Sequence, residues 1–529
     1  MKRRKTIAAL VCVGMVLATQ SAVTPNSWAS STVKLRIVVE HVQQQGCTDN
    51  GSGSDFKATI GIEGEEFTFG EITDEDSISP NWTAEKEFDV DQTSEAWVVI
   101  KLLDDDDTLN FDDDVCDISS AVGTELDLHV TLLPCSVAGE APGSCVTSIT
   151  SGGSQDGDGN ADLRFRVEVD VPSATDGLAV RCTHSPLWPQ AGDDVTITVE
   201  ALDGTVQVGD TVEDLSDGSP APPLVDHKKI ADTLQIWVGD QAAADVDVSN
   251  KSTTSFVVED IPGGDLLYGC VAKADGETVF TGWRRSGIGP HSEGGPAVPV
   301  IYTGARTNSV DVVFIPDQDS YKDARDPKFQ DDVANVIKGA YYGQDWFLAN
   351  QGRFNFWLAD ETGDADRVSA PTREDPGATE CVLTTPDNWF QYAWRDVGTI
   401  LHTDAFRDCA IGGSVFSAEP GSLGTVLHET GHAPFGLADE YCCAGGYFEN
   451  APFPNLWDSR GECQTDAPDL GRTPADCRTI TDTRPNPAQD WSLSEPDITD
   501  LMNSDRRPPQ AADIRRMDWF IANCVAGKC

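Results

Sequence analysis

Two histidines four residues apart with a glutamate beside the first, in the run His428-Glu429-Thr430-Gly431-His432, are the residues of this chain best suited to chemistry. On an α-helix, residues four apart lie one turn above each other on one face, so both rings can offer a nitrogen to one cation. Glu429 lies three residues before His432 on the same side, placed to take a proton from an activated water without being a ligand itself. A catalytic zinc usually has three protein ligands and keeps one position for water, so a third ligand is required. Gly436 can end the helix in a left-handed conformation and turn the chain back, which makes Asp439 and Glu440 the two candidates. With eight His in the chain, a random pattern of this kind is expected on the order of 0.01 times, so coincidence is a poor account of it. The plainer readings are satisfied core histidines or a closed structural zinc. Closed sites more often use Cys, and Cys442 and Cys443 follow just beyond.

A helix must carry the pair. Leu423, Val426 and Leu427 supply its apolar side, and Ser422 is an acceptable N-cap. Pro434, two residues past His432, has no N–H and disturbs a regular helix at that point.

The run HETGHAPFGLADEY, from His428 to Tyr441, resembles the signature of the IgA-peptidase family of secreted bacterial zinc metallopeptidases. SVDVVFIPDQDSYKDARDPKFQDDV (309–333) and GRFNFWLAD (352–360) are similar to the opening strand, Tyr-containing loop, helix and second strand of that family's catalytic domain. TDLMNSD (499–505) is similar to the Met-turn of metzincins, in which a Met side chain forms a floor beneath the metal. The resemblance implies an α/β metzincin-like zinc peptidase domain, with Zn2+ on His428 and His432, Glu429 as general base and Met502 as the floor. It also favours Asp439 over Glu440 as third ligand, because the step of three residues from the helix-ending Gly matches the metzincin step. No Tyr follows Met502, so either Tyr441 or Tyr447 assists the transition state or no Tyr does.

The rest of the chain divides around that region. Lys2 to Lys5 form a basic stretch, Ile7 to Ala18 are almost all apolar, and Ser27-Trp28-Ala29 offers the small residues a signal peptidase reads. These predict a signal peptide over 1–29 and export from a bacterial cell, into the medium or onto its surface. The apolar run is too short for a dependable membrane span. Fifteen cysteines less Cys12 leave fourteen, an even number for an oxidising compartment. Removing the four basic residues of the leader leaves 33 Lys and Arg against 88 Asp and Glu, a formal charge of −55, which makes nucleic acid and anionic lipid poor partners. The expected partner is a protein or peptide substrate, and the expected state a monomer.

Segments such as VKLRIVV, WVVIKLL, LDLHVTLL and ADLRFRVEV alternate between Gly, Ser, Asp and Asn-rich turns, which predicts a β-sandwich over 30–171. Its acidic loop, DDDDTLNFDDDVCDI, makes Asp104, Asp106, Asp112 and Asp114 candidates for Ca2+, the plain alternative being a solvated loop. Over 172–289, the order Cys182, Trp237, Cys270 suggests an immunoglobulin-like sandwich. A Gly and Pro-rich stretch, 290–306, reads as a linker. In 307–529, VDVVFI and FNFWLA read as buried strands, and KFQDDVANVIKGAYYGQDWFLAN as one or two helices. Gly412 to Glu419 is the candidate edge strand for an extended peptide, and Gln510 to Ala522 a helix beneath the site. The fold expectation is therefore multidomain: two N-terminal β-sandwiches followed by the α/β metzincin-like domain. The functional expectation is a secreted zinc endopeptidase. Its alternatives are a surface-binding protein with an inactive peptidase-like domain, and a zinc hydrolase acting on a non-peptide amide.

Overall fold

Strict alternation builds the first third of the chain. The computed structural model describes residues 32–525 outside 48–53, 105–113, 154–158, 204–227, 245–250, 262–265, 288–293, 370–378, 441–451, 482–488, 494–499, 504–507 and a few stretches of one to three residues. The strand Thr32–Gln44 pairs antiparallel with Ala161–Asp170 and with Trp82–Asp89, inside a five-stranded sheet. Leu35, Ile37 and Val39 point into a core shared with Ile60, Val98, Ile100 and Leu128 of a seven-stranded sheet. On the opposite face Arg36 is buried between Glu85 and Glu168, so its charge is paired on both sides. The Cys47–Cys116 disulfide closes this unit.

Next come a three-stranded sheet, with Ala179–Ser185 at one edge, and a five-stranded sheet that includes Thr233–Val238 and Leu266–Ala274. The Cys182–Cys270 disulfide joins them across a core of Val180, Ile197, Val199, Leu234 and Ile236. Trp237 does not pack on that disulfide as the immunoglobulin-like pattern requires. It follows Ile236, which pairs with Cys270, and successive strand residues point to opposite faces. Trp237 therefore packs against the core of the first unit instead.

The last region is organised by a six-stranded sheet. Phe354–Leu358, Val310–Pro316, Val397–Leu401 and Val415–Ala418 run parallel in that spatial order, with antiparallel strands at both edges. One edge strand, Val298–Ile301, lies inside the stretch expected to be a linker, and all four of its residues are buried. The other is the two-residue Ala410–Ile411, so Val415–Ala418 is an interior strand rather than the expected edge. The helices Pro327–Gly339 and Asp345–Ala349 fall where one or two were expected. Asp326 caps the first by accepting the Lys328 N–H.

The fold class itself requires correction. Thirty-one strands in seven sheets stand against five α-helices among the described residues, and three of those helices exceed eight residues. The chain is a β-rich, many-sheeted protein, not a pair of sandwiches followed by an α/β metzincin-like domain. Runs such as VDVVFI identify strands correctly, but the α/β class comes from extending the likeness of four short segments, 309–333, 352–360, 428–441 and 499–505, to a whole domain. The boundaries are also less independent than a modular chain suggests. Arg284, fully buried, donates to Cys182 O and to the Tyr342 hydroxyl as well as to Gln351, and Gln351 donates to Val180 O.

Asp345 opens its short helix from a largely buried position, and that burial pushes its carboxyl up to about 7. A raised folded value means that folding favours the protonated form. The cost of ionisation is therefore absent below the ordinary value near 4 and fully present above 7. Asp345→Asn should raise stability at pH 8 by up to about 4 kcal/mol, at about 1.4 kcal/mol per unit, and leave it nearly unchanged at pH 4. Denaturant melts at the two pH values check this, and an equal gain at both would mean that Asp345 ionises freely in the folded chain.

Candidate metal centre

The helix Leu423–His432 buries Thr425, Val426, Leu427, His428, Thr430 and Gly431, and stops at His432. Ser422 occupies the N-cap, but its hydroxyl donates to Glu419 rather than accepting from the first turn. After Pro434 the chain turns at Gly436, whose φ of 65° places it in the left-handed region. Two nested bonds close that turn, from Gly436 N–H to His432 O and from Leu437 N–H to Gly431 O, both 3.0 Å. The segment after the turn returns to the histidines.

Both rings are oriented by backbone carbonyls. Nδ1 of His428 lies 2.9 Å from Leu501 O, and Nδ1 of His432 lies 2.7 Å from Leu437 O. A carbonyl only accepts, so each Nδ1 carries a proton; each Nε2 faces the Asp439 carboxylate, donating to it when protonated and offering a lone pair to a cation once that proton is lost. Asp439 Oδ1 lies 3.0 Å from His428 Nε2 and 3.1 Å from His432 Nε2. Three ligands held tetrahedrally at about 2.0–2.1 Å sit about 3.3 Å apart, so a small expansion would admit an ion at their centre. Burial alone would raise the Asp439 carboxyl, yet hydrogen bonds from His428 and His432 outweigh it and hold the group well below the ordinary carboxylate range. The donor set could thus hold a metal ion.

Glu440, the other candidate, turns away. Its carboxylate accepts from Asn455 Nδ2 at 3.1 Å and from the Ser492 hydroxyl at 2.7 Å. Asn455 also exchanges two hydrogen bonds with the backbone of Ala438, at 2.9 and 2.8 Å, and so clamps the chain on both sides of Asp439. Behind the centre, Glu440, Asp500 and Asp513 form a buried carboxyl cluster. Burial, and then the neighbouring Glu440, push Asp513 up to about 7, and Asp500 is driven well above its usual value by burial and by Asp513.

Met502 is buried against the same helix. A Cβ built on Gly431 would lie 2.5 Å from Met502 Sδ, so the sulfur occupies the space that the missing side chain leaves one residue before His432. The turn Leu501-Met502 contacts the centre twice more, through Leu501 O on His428 and through Met502 O, which accepts the Glu440 N–H at 2.8 Å. Asp500 holds that turn by accepting the Met502 N–H at 2.9 Å. Glu429 is half-buried; burial pulls the His432 ring down, but Asp439, then Leu437 O, then Glu429 raise it. No hydrogen bond engages its carboxylate among the described residues.

Four groups of side chains among the described residues could hold a metal ion: His428, His432 and Asp439; His402, Asp408 and Glu419; Asp319, Asp364 and Asp366; and Glu440, Asp500 and Asp513. The calcium candidates of the first unit are not among them. Asp104 is buried and accepts the Asp55 N–H at 2.6 Å, and Asp114 pairs with it through the backbone, while Asp106 and Asp112 lie outside the described residues. Tyr441, Tyr447, Cys442, Cys443 and the expected signal peptide, 1–29, also lie outside them. Sequence reasoning missed the carbonyls of Leu501 and Leu437, since any residue can supply a carbonyl. It also missed Asn455, Gly431 and the buried carboxyl cluster.

No family model matches the chain, and no curated protein does. Solved structures similar to parts of it include human GIVD cytosolic phospholipase A2, at 12% identity over 51% of this chain and 30% of that one, with a TM-score of 0.19. The two calcium-bound C2 domains of Extended-Synaptotagmin 2 match at 13% identity over 48% of this chain and 82% of that one, with a TM-score of 0.19. A C2 domain protein from Ramazzottius varieornatus matches at 16% over 26% and 89%, with a TM-score of 0.18. The chain spans under a third of the phospholipase's length. TM-scores of this size establish no common fold, so function has to be argued from the site.

Two substitutions separate the ligand candidates. Glu440→Gln acts through a neighbour and should lower zinc affinity by no more than about 10–100-fold, whereas Asp439→Asn should lower it further. Elemental analysis after dialysis against a metal buffer reads this, and the reverse order would exchange the two roles. Gly431→Ala should destabilise the chain by about 1–3 kcal/mol in a denaturant melt through overpacking on Met502; no loss would show that Met502 yields freely.

Proposed function

We propose that the chain is a secreted zinc-dependent endopeptidase, with His428, His432 and Asp439 as the metal ligands. The observation that carries this reading is the convergence of two Nε2 atoms and one carboxylate oxygen, with both Nδ1 atoms held on carbonyls. Zinc suits two imidazoles and a carboxylate, and when bound it would supply Lewis acidity toward a water and toward the scissile carbonyl. Three protein ligands leave room for both.

The remaining work falls to the chain. Glu429 follows His428 directly and has no competing hydrogen bond among the described residues, so its carboxylate is placed to take a proton from the attacking water and return it to the leaving nitrogen. Asp439, held ionised by the two rings, keeps its charge for the cation instead of acting as a second base. Leu501 O and Leu437 O fix the ring tautomers, so neither imidazole is available as the proton carrier. Five disulfides with both partners described, Cys47–Cys116, Cys135–Cys145, Cys182–Cys270, Cys381–Cys409 and Cys463–Cys477, support an oxidising destination.

Casein hydrolysis by the purified chain should disappear with a chelator and return with zinc. Glu429→Gln should keep its zinc and lose about 10²–10⁴-fold in turnover. Unchanged hydrolysis by that variant would refute the assignment. Zinc-loaded wild type that cuts no peptide bond would favour the surface-binding alternative.

A further inference from the structure

A second group of metal-type side chains lies outside the proposed centre, at the carboxyl ends of two neighbouring parallel strands. Leu401 and Ala418 are partners in the register of Val397–Leu401 with Val415–Ala418. The residues that follow them, His402 and Glu419, therefore leave the sheet side by side, and the His402 N–H donates to Ala418 O at 3.2 Å. Asp408 joins them from the connecting loop, next to Cys409, whose disulfide to Cys381 fixes that loop. Ligand atoms of the three side chains lie within 4.8 Å of one another.

Charge makes this group more than a hydrogen-bonded histidine. His402 is fully buried, and its Nε2 lies 2.9 Å from Asp408 Oδ1. That oxygen also accepts the Ser417 hydroxyl at 2.8 Å. Glu419 is pushed up first by burial and then by Asp408, so of the two carboxyls Asp408 stands close enough to oppose the ionisation of Glu419. One imidazolium can balance only one of them. No Lys or Arg among the described residues forms an ion pair with Asp408 or Glu419. The ring is held in place by parallel stacking on Phe406, with centroids 4.1 Å apart at 5°, so the nitrogen is fixed before any ion arrives. Asp408 and Glu419 are only partly buried, which leaves a route from solvent.

We propose that His402, Asp408 and Glu419 form a second divalent-cation site. One imidazole and two carboxylates select borderline ions such as zinc or manganese, since a nitrogen ligand disfavours calcium and magnesium. The ion would join the loop through Asp408 to Glu419, whose carboxylate accepts the hydroxyl of Ser422 at the N-cap of the helix that carries His428. The second ion would thus brace the entry of that helix.

The test uses the full mature chain and Zn2+ or Mn2+ alone. Wild type dialysed against limiting buffered metal should retain one equivalent more than His402→Gln and one more than Glu419→Gln, by elemental analysis. Asp439→Asn should lose a different equivalent, so failure at one site is distinguishable from failure at the other. Equal metal content in wild type and both variants would overturn the proposal. Because His402→Gln removes a buried ring and can impair folding, wild-type crystals soaked in Zn2+ give an independent reading. An anomalous peak bounded by all three side chains is expected, and its absence at full occupancy of the first centre would overturn the second site.

Discussion

Two hydrogen bonds from imidazole Nδ1 to backbone carbonyls govern the rest of the candidate centre. Were His428 or His432 free to turn, or to keep its last proton on Nε2, it could not hold a cation beside Asp439. Each bond contributes only about 1 kcal/mol net to stability, yet together they fix tautomer and direction for both rings. Their acceptors come from different parts of the chain. Leu437 O follows directly from the turn at Gly436, whereas Leu501 O is more than sixty residues further on and must be brought in by packing. The Asp500 bond to Met502 N–H and the Met502 bond to Glu440 N–H hold that distant turn in place.

Electrostatics follow from the same arrangement. Asp439 stays ionised because two ring nitrogens donate to it, while Asp500 and Asp513 lie buried against Glu440 and are pushed toward the neutral form. Three adjacent buried carboxyls cannot all ionise at a cost the fold can bear. Asp500 and Asp513 therefore act mainly as hydrogen-bonding struts that connect the turn to the C-terminal helix Ala511–Asn523.

What can be read from the sequence is local. The spacing of His428 and His432 and the left-handed Gly436 depend on a few successive residues, and the structure has both. The choice between Asp439 and Glu440 rests on likeness, because adjacent residues in a turn differ only in direction. Asn455 supplies that direction, and no spacing rule points to it. The packing of Trp237 and the edge at Ala410–Ile411 escape a sequence reading for a related reason. Period-two patterns identify a strand but not its neighbours or which face meets which core. The α/β class fails because a short signature constrains a site far more tightly than the architecture around it.

That separation of site from architecture has a physical basis in the helix itself. Ten residues are too few for an isolated helix in water, and this one lacks a side-chain N-cap and ends at a proline-containing turn. Its geometry must come from contacts outside the motif. The buried Tyr341 hydroxyl meets Thr430 Oγ1 at 2.9 Å on one side, and Met502 fills the hollow at Gly431. Phe435 is enclosed by Trp346, Phe347 and Phe520, while Arg516 donates to its carbonyl at 2.7 Å. The motif provides the nitrogens and the base, but these packed groups determine whether the nitrogens converge. A chain could keep His428, Glu429 and His432 unchanged and still lose the centre if Tyr341, Met502 or Phe435 no longer packed.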